Sequence, residues 1–220
     1  MFTKCYASAI TGIDAMTVEV EVNISPGIGM FLVGLPDSAV RESQERIRSA
    51  FENSGLRMPG KKVVVNLAPA DIKKEGSALD LAIATAILAA TEQVNGDKLS
   101  KYVIMGELSL DGTVKPVKGA LPIAISAQKE GFGGFIVPRE NAAEAAVVGG
   151  MDVIGVGSLL EVVKFLNGES AIEPTQVEAE ALFRESVNTY AEDFADVKGQ
   201  AHVKRALEVA AAGGHNVVIF

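Results

Sequence analysis

The side chains best equipped for chemistry stand together in Lys73-Lys74-Glu75-Gly76-Ser77-Ala78-Leu79-Asp80, at the head of the apolar run 81–90. A helix start presents free N–H groups and the positive end of a dipole, so a hydroxyl placed there is positioned as a nucleophile or beside an oxyanion. The same residues also spell a cap. Ser77 can accept from the N–H three residues on while Asp80 reaches back to the Ser77 N–H, a capping box with Asp in place of Glu or Gln, and Gly76 allows the turn before it. Which of the two holds decides the function, and a serine nucleophile would also need a general base within roughly 2.6 to 3.2 Å.

Other chemistry is excluded by count. Cys5 is the sole cysteine, which rules out an internal disulfide and a multi-cysteine zinc site. Its strand-like surroundings predict a buried small hydrophobe. The two histidines, His202 and His215, confine imidazole chemistry to the C-terminal end, so no metal site is expected in the body of the chain.

Net charge is −8, against a generally basic nucleic-acid binder, yet it is unevenly spread. Residues 169–196 hold eight acids and one base, whereas Arg41 to Lys74 holds eight bases and four acids. Arg41, Arg48, Lys61, Lys62, Lys73 and Lys74, with Lys115 and Lys118 further on, are therefore the candidates for contact with an anionic partner. The plain alternative is a solvated helix face, since Arg41/Glu45 and Glu42/Arg46 fall at i,i+4. No apolar run approaches the roughly 18 residues of a membrane helix, and the first residues lack a signal-peptide pattern. A cytoplasmic chain without a membrane partner is expected.

These residues need a scaffold, and 48% hydrophobic content with mean hydropathy +0.26 is ample for a core. Strands are predicted at 3–9, 17–24 and 30–33, the last two joined as a hairpin through Pro26-Gly27-Ile28-Gly29, whose strand-to-strand setting makes it a turn and not a phosphate loop. A helix from Pro36 to Ser54 and a strand at 61–67 follow, then the central helix, buried because it is apolar on nearly every side. Asp111-Gly112 between alternating runs marks a hairpin. Helix 119–130, strand 134–137, helix 139–148, strand 152–156 and helix 158–166 form a βαβα series that predicts a parallel sheet. Residues 168–193 read as an acidic linker. A helix over 200–212 and a buried strand at 216–220 then begin something new, as in a chain cut from a longer one.

Two blocks carry a resemblance. Lys74 to Leu81, Gly106-Glu107-Leu108-Ser109-Leu110-Asp111-Gly112 and Pro116 to Pro122 resemble the Lon-protease-like domain, a fold shared with ribosomal protein S5 domain 2. Phe194 to Gln200, Ala206-Leu207 and Ala210 to Asn216 resemble the opening of an AAA+ ATPase of the magnesium-chelatase type. With Ala9 to Ala15 and Gly34-Leu35-Pro36-Asp37, the order is similar to the YifB/ComM family of Mg-chelatase-like ATPases. The resemblance implies an α+β fold: a Lon-like domain over 1–167, the linker 168–193, and the first helix and strand of an AAA+ module over 194–220. In the Lon peptidase pattern the nucleophile falls on Ala78 and the general-base lysine on Leu121, so the resemblance implies a domain with no catalytic residues. A Ser77/Lys118 peptidase, a chelatase-type subunit and an oligomerisation scaffold are the competing functions. For the full-length protein it implies ATP and Mg2+ as cofactors, branched or single-stranded DNA as partner in recombination and competence, and a homo-hexamer. Val197, Lys198, Gly199 and Gln200 match the segment beside the adenine, while Gly-Lys-Ser or Gly-Lys-Thr occurs nowhere in the chain, so no cofactor is expected on this chain itself.

Overall fold

The computed structural model describes residues 1–12, 14–177 and 193–218. They fall into two units, Met1–Val177 and Glu178–Phe220. The first is α+β, built on a seven-stranded mixed sheet whose strands lie in the order Met30–Val33, Lys62–Ala68, Asp14–Ser25, Phe2–Thr11, Tyr102–Ile104, Gly134–Pro138, Asp152–Val156.

Strands β1 (Phe2–Thr11) and β2 (Asp14–Ser25) form the long hairpin at its centre, paired antiparallel from Phe2↔Asn23 to Thr11↔Asp14. Alternation dictates their faces: Val18, Val20 and Val22 are buried while Glu19 and Glu21 stay on the open side. The expected hairpin between β2 and β3 (Met30–Val33) does not form. Strand β4 (Lys62–Ala68) lies between them, antiparallel to β2 and parallel to β3. The connection explains it, because parallel strands need a crossover, and helix α1 (Ser38–Asn53) provides one between β3 and β4. The loop at 26–29 carries the chain past the place that β4 fills.

Helix α2 (Asp80–Ala90) is buried along nearly its whole length and lies against β1 and β2. Cys5 of β1 is fully buried beneath it, its thiol donating to Ala82 O at 3.4 Å, and burial pushes its pKa up to about 12. After β5 (Tyr102–Ile104), the hairpin of β6 (Glu107–Leu108) and β7 (Val114–Lys115) turns at Asp111-Gly112. Then α3 (Ala120–Lys129), β8 (Gly134–Pro138), α4 (Arg139–Ala146), β9 (Asp152–Val156) and α5 (Leu159–Asn167) complete the sheet, with β8 and β9 parallel as expected and β5 joining them parallel to β8.

Beyond α5 the chain stays with this unit to Val177: Thr175 N–H donates to Val153 O at 2.8 Å, and Ile172 and Val177 pack on the core. Most of the expected linker, residues 178–192, lies outside the described residues. In the second unit α6 (Ala201–Gly213) forms where expected. The buried strand expected at 216–220 is not found among the described residues 216–218, where Val217 and Val218 are 45% and 73% exposed. A strand needs a neighbour to satisfy its backbone, and none pairs with this segment among the described residues.

Candidate functional site

The loop ahead of α2 is held from outside by Gly34-Leu35-Pro36-Asp37. Asp37 N–H donates to Lys74 O at 3.0 Å and Lys74 N–H to Leu35 O at 3.2 Å. The Asp37 carboxylate caps α1 through Val40 N–H at 2.8 Å and takes Gly76 N–H at 3.1 Å. Gly34 is obligatory: its φ is +96, and a Cβ there would sit 2.1 Å from Leu67 O.

Asp80 does not turn back to Ser77, correcting the expected capping box. Its carboxylate is 1% exposed and takes both prongs of Arg46, Nε at 2.6 Å and Nη2 at 2.9 Å, with Leu108 N–H at 3.3 Å. Arg46 adds Ala39 O at 2.9 Å, and Glu42, its expected helix partner, is a distant 3.9 Å away. Burial pushes the Asp80 pKa up and Arg46 opposes it. The buried carboxylate decides the geometry, because leaving it unpaired costs far more than a missing cap.

Ser77 is thereby freed. Helix α2 starts at Asp80 with no side-chain cap, and the Ser77 hydroxyl donates to Glu107 Oε2 instead. Ser8, Ile10, Ser77, Met105, Glu107 and Lys118 are among the residues lining a cavity of about 500 Å³. No described hydrogen bond joins Ser77 to Lys118. Ala78 and Leu121, on which the Lon resemblance would place the nucleophile and its base, carry neither hydroxyl nor amine.

The basic candidates do not share one surface. Lys118 is exposed at the cavity rim, and Lys73, close in sequence to its wall, pairs with Glu75 at 2.6 Å. Lys61 and Lys62 stand at the opposite end of β4, the Lys62 ammonium 5.3 Å over the Phe31 ring. Arg41 and Arg48 are exposed on α1, and Lys115 is exposed on β7. Lys74 does not belong with them: it is fully buried, its ammonium donates to Pro69 O, and desolvation lowers its pKa while Asp71 opposes. In the second unit Val197, Lys198 and Gly199 lead into α6, where Gln200 has a left-handed φ of 54 and Lys204 Nζ reaches Val197 O at 2.5 Å. Among the described residues no His, Cys, Asp and Glu cluster fits a metal ion, and no helix is long and apolar enough to cross a membrane.

Sequence reasoning missed Glu107 as the partner of Ser77 and Asp80 as the partner of Arg46. The second had a signal, a lone carboxylate opening an otherwise apolar helix, which must find a cation once buried.

Two family descriptions match the chain: Subunit ChlI of Mg-chelatase over residues 20–141 and Magnesium chelatase, subunit ChlI, over residues 193–220. The chain is 42% identical over 218 residues to the protein YifB of Escherichia coli, covering 97% of this chain and 41% of the relative. It is 41% identical over 216 residues to the competence protein ComM of Haemophilus influenzae, covering 97% and 42%. A Lon protease of Lachnoclostridium phytofermentans is 28% identical over 170 residues, 71% of this chain and 21% of that protein. The chain thus spans about two-fifths of the length of YifB and ComM, and it belongs to the Mg-chelatase-like family that includes them.

Proposed function

We propose that this chain is the N-terminal, non-proteolytic domain and the opening of the ATPase module of a Mg-chelatase-like AAA+ motor that acts on DNA in competence and recombination, as in branch migration. The observation that carries this reading is the match to a competence protein along 97% of the chain. The site supports the non-proteolytic half: Ser77 is bonded to Glu107, and its neighbour Ala78 stands where a Lon nucleophile would. Nucleotide and Mg2+ belong to the full-length protein, assembled as a homo-oligomer of hexameric type, with 197–200 beside the base.

DNA contact in this reading falls to Arg41, Arg48, Lys61, Lys62, Lys73, Lys115 and Lys118, which bind phosphates by displacing counterions and read no bases. The test is affinity of the full-length protein for a four-way junction and for single-stranded DNA at roughly 50 and 200 mM salt. The expected result is binding that weakens steeply with salt, with a log–log slope reduced by about 1 for each phosphate-binding side chain removed, as in Arg41→Ala or Arg48→Ala. Binding that ignores salt, or no binding at all, refutes the DNA role.

A further inference from the structure

We propose that the cavity beside Ser77 is a slot for an extended segment of another polypeptide, held by main-chain pairing to the free edge of β1 and by Lys118 at its rim. The sheet has a gap there. Strand β5 ends at Ile104 and meets β1 in a single register pair, Tyr6↔Val103, whereas β1 runs on to Thr11. Ser8 N–H points away from β2 into the gap, where its partner is the sulfur of Met105 at 3.2 Å, a weak acceptor. Alternate residues of an antiparallel strand turn their N–H and C=O to the same side. Ile10 therefore turns its own N–H and C=O into the same gap, and it is 41% exposed.

The opposite wall matches. Asn141 engages both backbone groups of Val117, its Oδ1 taking the N–H and its Nδ2 giving to the C=O, each at 2.9 Å. That leaves Pro116 C=O and Lys118 N–H to the other side, and both residues line the cavity. Neither group has a backbone partner among the described residues. An edge on each side of a cavity of about 500 Å³ is the shape that strand addition fills, with main-chain bonds giving affinity and alternate side chains giving specificity.

The walls also set the sequence preference. Ala9, Ile10, Leu79, Met105 and Val117 supply apolar surface. Of the charged groups around it, Glu75 is paired with Lys73, Glu107 accepts from the neutral Ser77 hydroxyl, which offsets no charge, and Lys118 has no carboxylate partner among the described residues. The segment that fits has apolar residues at alternate positions and an acidic residue at the Lys118 end.

The probe is a fluorescent hexapeptide of alternating threonine and leucine, capped at both ends, with one glutamate next to its C-terminal amide. Fluorescence anisotropy with the 220-residue chain is expected to show saturable binding, weakened at least about tenfold when alternate peptide nitrogens are methylated and at least about fivefold in Lys118→Glu, an exposed position whose change leaves the fold intact. Amide exchange at Ile10 and Lys118 is expected to slow when peptide is added. No binding up to millimolar peptide, equal binding of the methylated peptide, or unchanged exchange at Ile10 overturns the proposal. Protection of Ile10 that rises with protein concentration without peptide also overturns it, assigning the slot to a second copy.

Discussion

Replacing Arg46 with methionine isolates the buried carboxylate on which the start of α2 depends. In the folded protein Asp80 is 1% exposed and the Arg46 side chain 20%, so the two partners do not lose equally when the other is removed. Arg46→Met keeps the aliphatic packing of the arginine stem and leaves Asp80 with Leu108 N–H alone at 3.3 Å. Breaking a buried pair this way costs about 3 to 5 kcal/mol. Asp80→Asn keeps the shape and two hydrogen-bonding atoms, and leaves a guanidinium that water reaches, so its cost is about 1 to 2 kcal/mol. The sign with pH follows from the raised pKa of Asp80, caused chiefly by burial. Between its unfolded and its raised folded pKa the folded state holds more protons, so this carboxyl's contribution to stability falls as pH rises through that window. Removing Arg46 lifts the upper edge of the window further. Urea unfolding of wild type and both variants at about pH 7 and pH 5 is the assay, with the loss in Arg46→Met smaller at the lower pH. A cost below about 1 kcal/mol for Arg46→Met, or one equal to that of Asp80→Asn, refutes the view that the pair is set by the buried carboxylate.

Lys74→Met is expected to stabilise the chain by roughly 1 to 3 kcal/mol, since it removes a buried ammonium whose described partner is a single carbonyl. The lowered pKa of Lys74 makes wild-type stability rise with pH below its ordinary value, so the gain shrinks toward about pH 10 in urea melts. The same variant is expected to leave DNA affinity unchanged, in contrast to Arg41→Ala. Gly34→Ala should cost about 3 kcal/mol, because its Cβ would meet backbone at 2.1 Å in a left-handed conformation; thermal unfolding by circular dichroism reads the loss. Cys5, with a pKa of about 12, is expected to react with Ellman's reagent near pH 8 about a thousandfold more slowly than a free thiol, and at the ordinary rate in roughly 6 M guanidinium.

Strand and helix positions were legible because their periodicities are strong: Thr17 to Ile24 alternates, and Leu81 to Ala90 is apolar throughout. The C-terminal βαβα order likewise read directly as parallel strands. What the sequence hid was partnership across distance. Proximity in the chain suggested β2 with β3, Glu42 with Arg46 and Ser77 with Asp80, and in each case a remote group took the place: β4, Asp80 and Glu107. Local pairings are worth tenths of a kcal/mol, while burial imposes several on any polar group left alone. The interior settles the choice. Burial also takes Lys74 off the basic surface, since charge counts carry no information about depth.

Asp37 binds the first turn of α1 with one oxygen and the loop at Gly76 with the other. A carboxylate is rigid and planar, so the first turn of α1 and the Gly76 wall of the cavity beside Ser77 are held apart by no more than the width of one functional group.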